Sequence, residues 1–111
     1  MYEKLIAECK RLAALGVDGI RAELGARGIR GRPEQPRDCP LAHALRTVCP
    51  EWHGMVGNDC LYSADNNVIL DFGDEVQGCL ALGRFVTQFD DRLFPELNSD
   101  QFGPPDGWDR I

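Results

Sequence analysis

No stretch of this chain approaches the ~20 consecutive apolar residues that cross a bilayer, which excludes a transmembrane helix. The opening residues, Met1-Tyr2-Glu3-Lys4, carry mixed charge. They have neither the basic start nor the apolar stretch of a signal peptide, so a cytoplasmic protein is predicted. Histidine is scarce, with two residues in the chain, at positions 43 and 53. Bases are scarce in the second half: residues 51–111 hold three arginines against twelve acids, whereas residues 1–50 hold nine Lys or Arg against six acids. That balance argues against a uniformly basic nucleic-acid binder. It fits an acidic surface that docks on a basic partner, or one that simply keeps the protein dispersed. No glycine-rich phosphate loop follows a predicted strand, no calcium loop is recognisable and no internal repeat is found.

Enough remains for one core. At 111 residues, with 43% apolar and 27% charged side chains, the chain has the size and balance of a single domain. The five cysteines, at 9, 39, 49, 60 and 79, cannot all pair within one chain. In a reducing compartment they are expected to be free thiols that pack as small apolar residues.

Hydrophobic spacing predicts three helices, a hairpin and a fourth helix. Leu5, Cys9 and Leu12 form a stripe along a helix over 2–15, with Gly16 as its stop. Asp18 caps a second helix carrying Ile20 and Leu24, and Gly28 ends it, with Ile29 placed to fold back on Leu24. Residues 30–37 are a Gly- and Pro-broken loop. A third helix starts at Asp38 or Cys39, with Pro40 in its first turn and Leu41, Leu45 and Val48 as its buried stripe, and Pro50 ends it. Residues 51–58 read as irregular, anchored by Trp52. Two strands, 60–64 and 68–72, flank Asp65-Asn66-Asn67, residues that tolerate positive φ. Asp74 with Gln77 forms a capping-box pattern ahead of a long amphipathic helix from about 75 to 91, with Val76, Cys79, Leu80, Leu82, Val86 and Phe89 on its inner face. The predicted class is therefore α+β: three N-terminal helices, a β-hairpin and a long C-terminal amphipathic helix. Residues 1–97 form one compact domain and 98–111 a loosely ordered tail. A lone hairpin is unstable in water, so it must lie on the helices, with the fourth the obvious partner, or join a second copy in a homodimer.

Four groups of residues carry candidate chemistry. Cys39, His43, Cys49 and His53 are good zinc ligands, and zinc is the one cofactor the sequence suggests. Cys39 and Cys49, however, lie ten residues apart, about 15 Å along a continuous helix. Cys39 near a helix start, with His43 close by, has the makings of a nucleophile and its base, without a recognisable oxyanion hole. Arg27, Arg30, Arg32 and Arg37 cluster on the loop and are suited to phosphates, the basis of a nucleic-acid-binding alternative. Phe102 and Trp108 in the tail are suited to anchoring another protein, or to folding back on the domain. Among the acids, Asp74 reads as a cap, and Asp90 and Asp91 as solvated.

Three short stretches go together: Arg27-Gly28-Ile29-Arg30-Gly31, Cys39-Pro40-Leu41-Ala42 with Leu45-Arg46, and Phe85-Val86 through Phe89-Asp90 to Phe94-Pro95-Glu96-Leu97. They resemble small uncharacterised proteins of actinobacteria and their phages. The resemblance implies a bacterial or phage cytoplasmic setting and brings no established activity. With no catalytic constellation in view, the expected function is a non-enzymatic protein-interaction module of accessory or regulatory type. A nucleic-acid-binding regulator and a zinc-stabilised domain are the alternatives.

Overall fold

The computed structural model describes residues 2–99. Four helices, α1 (Glu3–Ala14), α2 (Gly16–Ala26), α3 (Pro40–Val48) and α4 (Leu80–Asp90), accompany three short strands, β1 (Met55–Val56), β2 (Cys60–Tyr62) and β3 (Val68–Asp71). A 3-10 turn, Pro95–Leu97, follows α4. Helix α1 is the hub, and α2, α3 and α4 all pack on it. Its buried residues, Leu5, Cys9, Leu12 and Ala13, recur at helical spacing.

Local chemistry sets most helix ends. After α2 the Ile29 N–H donates to Leu24 O (3.0 Å) and the Gly28 N–H to Gly25 O (3.1 Å). With Gly28 at φ +70° this is the two-bond Schellman stop that the sequence suggested. Asp18 does not cap α2; it lies in the first turn, and the N-cap is Leu15, without a side-chain bond. Cys39 caps α3, its Sγ accepting the Ala42 N–H at 3.4 Å. Leu41 and Leu45 of α3 are buried, joined by Ala42 and Ala44, whereas Val48 at the helix end is exposed.

The expected long fourth helix is absent. Helix α4 spans 11 residues and begins at Leu80. The Asp74 capping pattern closes a separate turn instead: its Oδ1 accepts the Val76 N–H at 3.0 Å, and its carbonyl accepts the Gln77 N–H at 3.0 Å. Gly78 then takes φ +69°, a left-handed conformation that no helix continues through. The chain is redirected there. Val76, expected on the inner face, is 90% exposed, and Leu80 is 49% exposed. Phe85, absent from the predicted face, is fully buried and stacks on Phe94 with ring centroids 5.2 Å apart.

The hairpin is part of a three-stranded antiparallel sheet of order β1-β2-β3. Strand β1 lies in the segment that reads as irregular, because two residues leave no periodicity to detect. Asn66 sits at φ +66° in the β2–β3 turn, as its residue type allows. The pairing slips between Leu61 and Tyr62, which face Leu70 and Val68 respectively. Ile69 is therefore passed over, strict alternation fails and Val68 is exposed. The outer edge of β1 is covered by the loop, with Val56 N–H donating to Pro36 O at 3.0 Å. Trp52 is buried and donates its indole N–H to Tyr62 O at 3.0 Å, tying the α3–β1 connection to the sheet.

Helix α4 meets the sheet closely. A Cβ placed on Gly83 would lie 2.4 Å from Asn58 O and 3.7 Å from the Phe72 Cβ, so glycine is what permits the approach. The end of the described chain is pinned too: the Gly31 N–H donates to Leu97 O (2.9 Å) and the Ser99 N–H to Gly31 O (2.8 Å). Asn98 is buried. Asn98 and Ser99, assigned to the tail by sequence, thus belong to the folded unit.

Candidate functional site

The structure does not assemble the Cys/His quartet. Cys39 and Cys49 stand at opposite ends of α3, both buried. His53 is exposed on the connection beyond. Among the described residues no three His, Cys, Asp or Glu side chains come together to hold a metal ion. His43 also has both ring nitrogens engaged: Nε2 bonds Asp38 Oδ1 at 2.5 Å, and Nδ1 faces Arg46 Nη2 at 3.0 Å. A guanidinium only donates, so Nδ1 accepts and Nε2–H donates to the carboxylate. No lone pair is left for a metal, or for taking a proton from Cys39. The thiol itself is unsuited to attack, since burial pushes its pKa up to about 11.

The arginines of the loop are engaged in holding the fold. Arg27 bonds Thr47 Oγ1 at 2.9 Å and pairs with Glu23 at 3.4 Å. Arg32 pairs with Asp38 at 3.5 Å, Arg37 donates to His53 O at 3.2 Å, and Arg30 also has an interaction partner. Arg46 donates to Arg37 O at 2.8 Å and stands over the Trp52 ring. These contacts suture the loop to α2, α3 and the β1 approach, and two of the four arginines, Arg27 and Arg32, have acid partners. Phe102 and Trp108 lie outside the described residues. Asp90 is not fully solvated as expected: it accepts the Glu34 N–H at 2.8 Å, and burial raises its pKa.

What the fold does build is an open groove of about 380 Å³ between α4 and the sheet. Its base is apolar, from Phe72 and the bare backbone of Gly83. The sheet side presents Asn58, Asp59 and Asp71; the helix side presents Leu80, Arg84, Thr87 and Gln88. Asp59 and Asp71 come together because Phe72 N–H donates to Asp59 O at 2.9 Å and Cys60 pairs with Asp71. Each gives one carboxylate oxygen to the fold, Asp59 to the Tyr62 hydroxyl (3.2 Å) and Asp71 to the Gly73 N–H (2.9 Å). Arg84 forms no ion pair or hydrogen bond with any described residue.

Two other hollows lie among the described residues. One of about 500 Å³, between the start of α1 and the β2–β3 turn, is walled by Ser63, whose Oγ accepts the Asn67 N–H at 3.2 Å. The other, about 290 Å³, holds Cys39 and Asp90, both already bonded to backbone amides. The groove was missed in the sequence because its parts come from three separate stretches. No protein-family model, curated protein or solved structure matches this chain.

Proposed function

We propose that this protein is a small protein-interaction module, accessory or regulatory rather than enzymatic, that receives a segment of a partner in the groove between α4 and the sheet. The observation that carries this reading is the apolar surface left at that place. Leu80 lines the groove while about half exposed, and Val76 on the preceding turn is almost entirely exposed. Neither side chain contributes to the core, and apolar surface exposed at a concave site, as Leu80 is, is the signature of a binding surface. The volume suits one or two side chains of a peptide. On the resemblance of its helix ends, we place the protein in a bacterial or phage cytoplasm.

The test is selection of a displayed random peptide library on the full-length protein, with the Leu80→Asp variant as counter-target. Peptides retained by the wild type and released by the variant are the expected result. Recovery of no peptide, or of peptides that bind both proteins equally, overturns the reading.

A further inference from the structure

The charge lining the groove says what kind of segment it takes. The sheet wall and the turn after it, residues 55–79, carry Asp59, Asp65, Asp71, Asp74 and Glu75 and no Lys, Arg or His. Folding does not neutralise them. Among the bases of the first half, Arg11 pairs with Glu8 and Glu23, Arg27 with Glu23 and Arg32 with Asp38. Arg21 reaches the second half, but its partner there is Glu96. Among the described residues no ion pair reaches any of the five acids of the sheet and turn. Asp59 and Asp71, the two of these acids that line the groove, therefore keep their charge unpaired among the described residues.

We infer that the occupant of the groove is a basic, apolar segment: an aliphatic or aromatic side chain seated over Phe72 and against Leu80, with a Lys or Arg beside it reaching Asp59 and Asp71. The inference rests on the interaction-module reading and adds the chemistry of the partner. Two acids line the groove, each with a carboxylate oxygen not used by the fold, and such groups receive an ammonium or guanidinium. Arg84 on the opposite wall repels that cation and attracts carbonyl or carboxylate oxygens. The opposition fixes direction, placing the partner's cation on the strand side and its backbone oxygens on the helix side. An acidic or phosphorylated segment meets the reverse pattern and is excluded by repulsion from the strand wall.

The composition of the peptides recovered from the library selection tests this. The selection is run at low salt on the wild type and on an Asp59→Asn/Asp71→Asn variant, which keeps an oxygen acceptor at both positions. The expected result is enrichment of Lys and Arg next to an apolar anchor on the wild type and loss of that enrichment on the variant. A resynthesised lysine-bearing peptide should bind about 2- to 5-fold more weakly for each carboxylate removed, and more weakly as salt screens the rim. Peptides that depend on Leu80 but are acidic or without charge bias overturn the basic partner and leave the groove standing. A Lys preference that persists in the Asn variant also overturns it. Recovery of no Leu80-dependent peptide overturns both readings.

Discussion

Two glycines inside helices, Gly25 and Gly83, offer opposed tests of how the groove is held. By helix propensity alone, alanine at either site stabilises by about 0.5–1 kcal/mol, because glycine loses more backbone freedom on folding. The surroundings differ. A Cβ at Gly25 would find Leu97 Cδ2 at 3.9 Å, an ordinary contact. At Gly83 it would find Asn58 O at 2.4 Å, a fixed backbone atom well inside van der Waals contact. To relieve that overlap, α4 and the β1–β2 connection must separate, which disturbs the packing of Phe72 and Phe85. Overpacking of this kind costs about 1–3 kcal/mol, so the clash outweighs the propensity gain and Gly83→Ala is net destabilising by about 1–2 kcal/mol. For a domain of this size each kcal/mol moves the melting temperature by roughly 4–8 °C. Thermal denaturation followed by circular dichroism should therefore place Gly83→Ala below the wild type by about 4–16 °C and Gly25→Ala slightly above it. Equal stabilisation by both substitutions would refute the close approach of α4 to Asn58, and with it the shape of the groove.

Further outcomes follow from individual side chains. Arg92 sits at φ +62°, where the stop after α4 asks for glycine; Leu93 N–H to Gln88 O (3.1 Å) and Arg92 N–H to Phe89 O (2.9 Å) complete the two-bond motif. Arg92→Gly should raise stability by about 0.5 kcal/mol in urea denaturation, relief of strain exceeding the added chain entropy, and a loss would contradict that stop. In native protein at pH 8, a disulfide reagent should modify Cys60 first, since Cys9, Cys39, Cys49 and Cys79 are buried and burial pushes the Cys9 pKa up to about 12. Rapid modification of two or more thiols would contradict the core. The Arg21 guanidinium, bonding Glu96 through Nη2 at 2.9 Å, lowers the Glu96 pKa. A depressed carboxyl contributes stability above its unfolded pKa, near 4.3, and loses it as pH falls through the folded value. Glu96→Gln should therefore flatten the acid limb of a stability–pH profile while costing under about 1 kcal/mol at pH 7, both partners being exposed; an unchanged acid limb would rule out the pair. Val76→Ser should leave the melting temperature within about 2 °C, since Val76 is 90% exposed, and a large stability loss would place Val76 in the core.

Where function of the local backbone was written in adjacent residues, the sequence was readable. The Leu24-Gly28-Ile29 stop, the Cys39-Pro40 start of α3 and the αL position in the β2–β3 turn each depend on two to five neighbours, and all three are found. Features decided by distant contacts were not readable. Gly78 lies inside an apolar pattern of helical period, and propensity does not reveal that the chain turns there. Phe85 falls beside the stripe chosen for a helix starting at Glu75, and only the Phe94 ring explains its burial. The zinc quartet failed for the reason its spacing already contained, since α3 runs unbroken between Cys39 and Cys49. The arginine cluster was legible as a cluster but not as a suture, because Thr47, Asp38 and His53 O are brought to it by the fold.

Gly78, which defeats a continuous fourth helix, and Gly83, inside α4, together shape the candidate site. A helix running on from Glu75 would place Val76, Leu80 and Gly83 on one face at i, i+4 and i+7 and direct all three inward. Gly78 breaks that register, so Val76 and Leu80 come to the surface while Gly83 alone keeps contact with the sheet. An apolar residue exposed as the by-product of a kink has no stabilising role and is free to drift to polar types at little cost in stability. Leu80 instead lines a groove whose base is Phe72, beside two acids with oxygens to spare, and Val76 stands exposed on the turn before it. Stability accounts for Phe72, Phe85 and Gly83; it does not account for the exposed Leu80, which is the surface the proposed partner segment would cover.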